Sequence, residues 1–538
     1  MRARVIVAVA LLLGLVAWDF VAATTFVGDD YLFLAFARLE PNPLSAFVRD
    51  MHGGEYYRPL PMLLWWLLDR VGQGAEWPFA LAAFLLHAGS AALVVALGRG
   101  VGFTLRVSLT AGALFLVAPA EREAALWFAA STDLLSTLAT LAALVCLLRD
   151  SRGWRVASVV LAGLAYFSKE TALVLPLLGV AAKFAVARGG KEDHSGHDHG
   201  HGHGHDVWWT LRRCRGFLRA FVPVLPHVVL AAGYLVVRFV VLGGLGGTND
   251  PVAPWWGRGL QVAAGLVHAV TAYAPLPDAV AWIVGGIGLV MAGVLALRAR
   301  RVGSPPALPA AYHRGRVWEP FQGSHVSAWF PVIWVLFACL PLPAAGWVVG
   351  ARYFYLPAVG LVLMLALAID TRGAVGAMVA IALLAVMGLG STATRMAEVR
   401  RYRAVVAAAR VAVTKGAQAG HTIFLVRNGV KDLDLAVKLT SPAGRLPQSL
   451  LVIPDVPASF VWMPDGLASR AGFLLARPPL PPAGEYRFGG QPIMGLARRE
   501  EAPDLADVLA RLPELRIIEL VADENGQVSA KDLTDPRP

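Results

Sequence analysis

Long apolar stretches separated by short polar clusters fill residues 1–390, and most are long enough for a hydrocarbon core, which takes about 20 residues to cross. The first stretch, 5–23, follows Arg2 and Arg4. Its Val21-Ala22-Ala23 end has the small residues of a signal cleavage site, but the run is longer than a signal core and reads as an anchor. Further spans are expected near 78–98, 107–119, 132–148, 156–168, 170–187, 220–242, 279–297, 327–345, 353–369 and 373–390, about eleven in all. Two apolar segments read differently. Residues 59–71 carry Trp65-Trp66 and then Asp69-Arg70, and 255–273 open on Trp255-Trp256. Tryptophan favours the headgroup level, so both are expected to lie along the interface.

From about residue 391 the period changes. Residues 396–415 and 505–512 read as helices, whereas 422–426, 449–453, 459–463 and 516–521 are short runs with strand composition. The expected fold is an α-helical polytopic membrane domain, 1–390, followed by a small α/β or α+β domain, 391–538.

Composition agrees: of 538 residues 57% are hydrophobic and 16% charged, which excludes an ordinary soluble globule. The formal charge of +11 is spread over alternate loops: Arg99 and Arg106; Arg149, Arg152 and Arg155; Arg188 to Arg219; Arg298 to Arg316. Dispersed in this way, the charge forms no nucleic-acid face, and it marks those loops and the N-terminus as cytoplasmic. An odd number of spans then puts the C-terminal domain on the extracytoplasmic side. The location implied is a bacterial inner (plasma) membrane.

The histidine-rich loop at 190–206 falls on the cytoplasmic side. His197, His199, His201, His203 and His205 would bind zinc, nickel or copper opportunistically, but they lack the spacing of a structural or catalytic site. Cys146, Cys214 and Cys339 lie in spans or a cytoplasmic loop, so no disulfide framework is expected.

The informative polar residues sit at the extracytoplasmic ends of spans. Asp29 and Asp30 follow the first span, and adjacent carboxylates at a membrane exit are costly unless they face water, a partner or a substrate. Tyr57 and Arg58 close the first outer loop, Glu121, Arg122, Glu123 and Asp133 bracket the second, and Lys169-Glu170 joins two spans in the third. Tyr234 and Arg238 lie in the outer half of one span, and Arg352-Tyr353 opens another. Each cation alone would pass for an anchor or an ion pair. Together they run against the positive-inside trend, and a lipid-linked phosphate needs such a set: arginine as a planar fork, lysine as a point charge.

In chain order the sequence reads VGDDYLFLAF at 27–36, YYRPLPMLLWWLLD at 56–69, ALWFAASTDLLSTLATL at 125–141, AYFSKETALVLPLL at 165–178 and ARYFYLPAVG at 351–360. This series resembles the GT-C superfamily of integral membrane glycosyltransferases, above all the transmembrane-and-tetratricopeptide type of protein O-mannosyltransferase and its bacterial relatives. No tetratricopeptide repeats follow the last expected span, and Ser131-Thr132 stands where the family often has glycine-arginine.

The resemblance implies an inverting hexosyl or pentosyl transfer from a polyprenyl-phosphate-linked sugar to a hydroxyl of a protein, glycan or lipid acceptor. It makes Asp29 or Asp30 the base, with the other orienting substrate. Two adjacent carboxylates do not both ionise readily once desolvated, which leaves one poised. Arg58, Lys169, Arg238 and Arg352 are the expected donor-phosphate ligands, and Tyr57, Asp133, Glu170 and Tyr353 the orienting or substrate-binding residues. No cofactor is expected to be required; a divalent metal is not favoured, since the site has no Asp-x-Asp. The competing readings are a transporter or flippase of a lipid-linked saccharide, which would need midplane polar residues and broken helices, and a non-catalytic scaffold for the outer domain.

Overall fold

The computed structural model describes residues 2–26, 42–49, 56–73, 75–118, 122–149, 151–189, 220–244, 329–342, 351–370 and 375–383, six strand segments between 422 and 532, and scattered single positions, Asp30 among them. The principal helices are α1 (Arg2–Ala23), α2 (Pro59–Gly72), α3 (Trp77–Gly100), α4 (Leu105–Val117) and α5 (Ser131–Leu147). They are followed by α6 (Arg152–Ser168), α7 (Leu175–Gly189), α8 (Leu225–Leu242), α9 (Trp329–Cys339) and α10 (Tyr355–Asp370).

Among the described residues, four helical stretches are long and apolar enough to cross a membrane: Trp77–Gly100, Phe128–Leu147, Val222–Leu242 and Arg352–Asp370. The 13 residues of α4 rise about 20 Å, short of a full hydrocarbon core. Local signals set the boundaries. Thr104 Oγ1 accepts the Val107 N–H at 3.2 Å to start α4, and Ser151 Oγ accepts the Trp154 N–H at 3.4 Å to start α6. Pro59 opens α2, the expected interfacial helix, which buries Met62 and Trp65 and exposes Leu67 and Val71.

Two expected spans differ: in place of 327–345, α9 ends at Cys339 and a turn follows at 340–341, and the second difference lies at 170–187. Residues 170–187 do not form one regular helix: a 3-10 segment, Glu170–Val174, precedes α7. Lys169 is extended (φ −162°, ψ 140°), and Pro176, which lacks an N–H, fits only the first turn of the helix that follows. The expected span 279–297, the strands 449–453 and 459–463 and the helix 505–512 lie outside the described residues, as do all but two positions of 255–273.

The core forms where small residues let helices approach. A Cβ at Gly112 of α4 would run into Val95 and sit 3.0 Å from the Ala91 carbonyl oxygen of α3. One at Gly360 of α10 would sit 2.7 Å from the Pro331 carbonyl oxygen of α9. Val94, Leu114, Phe115, Leu141, Leu144, Trp334 and Val359 fill the interior.

The bundle has two unlike ends. The α3–α4 and α5–α6 connections carry Arg99, Arg106, Arg149, Arg152 and Arg155, and Arg106 reaches Asp370 at the end of α10, 3.9 Å away. The starts of α5, α7 and α10 meet at the opposite end, as the Lys169–Asp133 and Lys169–Tyr353 contacts show.

Among the described residues, six strands form in the C-terminal region: β1 (Thr422–Asn428), β2 (Leu474–Leu475), β3 (Glu485–Phe488), β4 (Gln491–Leu496), β5 (Arg516–Ala522) and β6 (Val528–Asp532). One sheet has the order β1-β5-β6, with β1 parallel to β5 (Thr422 opposite Arg516) and β6 antiparallel. The other, β2-β4-β3, is antiparallel with an irregularity between Tyr486 and Arg487. Two of the expected strands, 422–426 and 516–521, thus pair with each other.

Candidate active site

Between α4 and α5 the chain makes a helical turn, Arg122–Leu126, then a 3-10 turn, Phe128–Ala130, and this segment receives residues from three other elements. Asp30, fully buried, accepts the Ala129 N–H at 2.5 Å through Oδ1. Trp65 of α2 donates its Nε1–H to Ser131 Oγ at 3.1 Å. Asp133 follows in the first turn of α5, where the helix dipole favours a negative charge.

Lys169 closes on Asp133. Its ammonium lies 2.6 Å from both carboxylate oxygens, and the two side chains keep only 2% and 6% of their surface. The Thr132 hydroxyl lies 3.5 Å from Asp133 Oδ2, and the Lys169 ammonium also lies 4.7 Å from the centre of the Tyr353 ring. Lys169 and Glu170, adjacent in the chain, each form an ion pair with another residue. The extended backbone at Lys169 sends the two side chains to different partners.

Glu170 takes the other set. Arg58 holds it with two parallel bonds: Nε to Oε2 at 3.0 Å, and a short contact from Nη2 to Oε1. Arg238 Nη1 stands 3.7 Å from Oε2 and donates to the Tyr234 hydroxyl at 3.4 Å. Tyr234 donates to the Tyr57 carbonyl at 3.2 Å, and Tyr57 donates to the Phe47 carbonyl at 2.8 Å, so the cluster is tied to the 3-10 turn Pro43–Phe47 that precedes α2. Burial pushes the Glu170 carboxyl up, but Arg58, Arg238 and Lys169 outweigh it and hold it at about 2. Burial pulls the Arg58 guanidinium down, yet Glu170 and the Tyr56 and Tyr353 rings leave it raised. Burial, with Tyr234 beside it, pushes the Tyr57 hydroxyl up to about 12.

Arg352 lies against aromatic faces, 4.3 Å from the Trp127 ring centre and 5.0 Å from that of Tyr353. The Arg58 guanidinium sits likewise 4.2 Å from the Tyr56 ring centre. Cations on aromatic faces stay charged while losing part of their water, which suits them to bind an anion.

Nine of the ten expected catalytic, phosphate-binding and orienting residues therefore lie at one end of the bundle: Asp30, Tyr57, Arg58, Asp133, Lys169, Glu170, Arg238, Arg352 and Tyr353. Asp29, Glu55, Glu121, the side chains of Arg122 and Glu123, and the histidine loop lie outside the described residues. Trp127 and the Ala129 amide were not singled out from the sequence. Trp127 stands within a quoted motif, but a backbone N–H has no sequence signature.

No protein-family model matches the chain. A 149-residue stretch is 35% identical to Protein O-mannosyl-transferase Tmtc2 of Drosophila melanogaster, a match over 26% of this chain and 16% of that protein. The chain is similar in fold to ArnT from Cupriavidus metallidurans, solved bound to undecaprenyl phosphate. That likeness has a TM-score of 0.53 and 14% identity, and covers 97% of this chain and 94% of the other. At such identity the likeness is one of fold. The two findings bear out the resemblance to GT-C membrane glycosyltransferases and a polytopic helical membrane protein.

Proposed function

We propose that this chain is an inverting membrane glycosyltransferase. It moves a sugar from a polyprenyl-phosphate donor to an acceptor hydroxyl at the end of the bundle opposite the basic loops, which is the extracytoplasmic side by the charge argument. The observation that carries this reading is the gathering of Asp30, Arg58, Lys169, Arg238 and Arg352 at that one end. A non-catalytic scaffold has no need to hold four cations there.

In the reaction the acceptor oxygen attacks the anomeric carbon and the bond from that carbon to the phosphate oxygen breaks. The electron pair leaves on the lipid phosphate, and the hydroxyl proton passes to a carboxylate. Asp30 is enclosed and engaged with Ala129, so it suits a framing role and leaves Asp29 as the base. Arg58 and Arg238 both reach Glu170, and Arg352 lies against the Trp127 and Tyr353 rings at the same end; these three are the arginines assigned to the phosphate charge. Lys169 is buried on both oxygens of Asp133 and holds the frame. The transfer proceeds without a metal in this scheme.

The test is transfer from a purified polyprenyl-phosphate sugar, with membrane insertion checked for each variant. Asp29→Asn is expected to lose about two to four orders of magnitude in turnover. Asp30→Asn keeps an acceptor for the Ala129 N–H and is expected to lose about tenfold or less. Parental turnover in both variants would refute the catalytic reading.

A further inference from the structure

A buried histidine outside all five motifs holds the residue that follows the turn carrying Arg352. His87 stands midway along α3 and keeps only 3% of its surface. Its Nε2 lies 3.1 Å from the Leu116 carbonyl oxygen, and its Nδ1 lies 2.7 Å from the Tyr355 hydroxyl. A carbonyl only accepts, so Nε2 carries the proton of the neutral ring and Nδ1 accepts from Tyr355. The Leu116 carbonyl is among the last four of α4, which have no partner within their own helix. Aromatic rings enclose the pair: Phe115 lies 5.6 Å from His87 and 5.2 Å from Tyr355, centre to centre, and Phe20 lies 5.9 Å from His87.

Tyr355 opens α10, and the 3-10 turn Ala351–Phe354 runs directly into it. That turn carries Arg352 against Trp127 and Tyr353 against the Lys169 ammonium. A single imidazole therefore ties the start of α10 to α3 and to the end of α4, three residues from the Arg352 guanidinium. We propose that His87 is a positioning residue for the lipid phosphate, acting through the Tyr355 hydroxyl to hold the 351–354 turn and with it Arg352. This rests on the glycosyltransferase reading above, which assigns Arg352 to the phosphate. It requires an acceptor at the Nδ1 position, because the Tyr355 hydroxyl has one proton to give. A histidine that merely joined three helices would affect stability, but its effect on phosphate binding would not depend on Arg352.

The experiment measures the affinity of the full chain, in detergent or nanodiscs, for undecaprenyl phosphate, with membrane insertion checked for each variant. Tyr355→Phe removes one oxygen and keeps the ring packing. It is expected to weaken binding about three- to tenfold, the size of one hydrogen bond's net contribution. In the Arg352→Ala background the same change is expected to cost less than about twofold, because the group it positions is gone. His87→Leu is expected to bind as Tyr355→Phe does or more weakly. His87→Asn, which keeps an acceptor near the Nδ1 position, is expected to recover to within about twofold of the parent. Parental affinity in Tyr355→Phe, an equal loss with and without Arg352, or a His87→Asn variant no better than His87→Leu would overturn the proposal. A parent that binds the lipid phosphate yet transfers no sugar from a polyprenyl-phosphate donor would refute the glycosyltransferase reading alone. A parent that does not bind it would overturn the positioning role.

Discussion

Lys169 and Glu170 are adjacent in the chain, but they take part in two ion pairs of opposite character. Lys169–Asp133 is dry, symmetric and enclosed, each partner at 6% exposure or less. Arg58–Glu170–Arg238 is open on one side: Glu170 keeps 29% of its side chain accessible, Arg58 14%, and two cations share one carboxylate. A buried pair of unit charges with no surplus is a structural joint. Arginines on a carboxylate with a water-facing edge can exchange that contact for a substrate phosphate. Under the proposed function the difference separates two roles that residue type alone does not: a framing lysine and phosphate-binding arginines.

The strongest way to break this comparison is at the dry pair. Lys169→Met should destabilise the fold by about 3–5 kcal/mol, because it leaves Asp133 charged and buried without a partner. Lys169→Met combined with Asp133→Leu should lose less than either single change. Unfolding followed in detergent measures both, and a single variant as stable as the parent would mean that the pair is not a joint.

Arg58→Lys probes the open cluster. The ammonium keeps the charge but not the two parallel bonds to Glu170, so KM for the lipid donor should rise about ten- to a hundredfold. Stability should change by only about 1 kcal/mol. A KM unchanged by this substitution would remove Arg58 from the phosphate site and turn the two pairs into equivalents.

pH separates the pair and the cluster more gently. The Glu170 carboxyl is lowered from 4.5 to about 2, so the stability it contributes is fully present above about pH 4.5 and is lost as pH falls through about 2. Melting temperature measured from pH 5 downward should therefore decline on the acid side, and Glu170→Gln should remove that share of the decline. Between about pH 5 and 8 Glu170 contributes no slope. The smallest effect is expected from deleting 194–205: the histidine loop follows the basic end in the charge argument, so transfer should stay within about twofold of the parent. A large loss in properly inserted protein would relocate that loop or give it a metal-dependent role.

The helices at 77–100, 105–117, 131–147, 152–168 and 222–242 were legible in the sequence because apolar length and local caps such as Thr104 and Ser151 act over a few residues. The strands at 422–428 and 516–522 were legible for the same reason, though their parallel pairing was not. The five motifs hold all but Arg238 of the nine residues that the fold gathers at one end of the bundle, and the alternation of basic loops leads to the expectation that this end is extracytoplasmic. Which carboxylate each cation meets was decided only by tertiary structure. Asp133 and Lys169 are 36 residues apart, and Arg58 and Glu170 112, and local propensity carries no information over such separations. Asp30 meets a backbone amide 99 residues away, and His87, from outside every motif, meets the Tyr355 hydroxyl 268 residues away. Burial and hydrogen bonding set those partners, because in the packed bundle a charged or polar group must find its complement wherever the fold has put it.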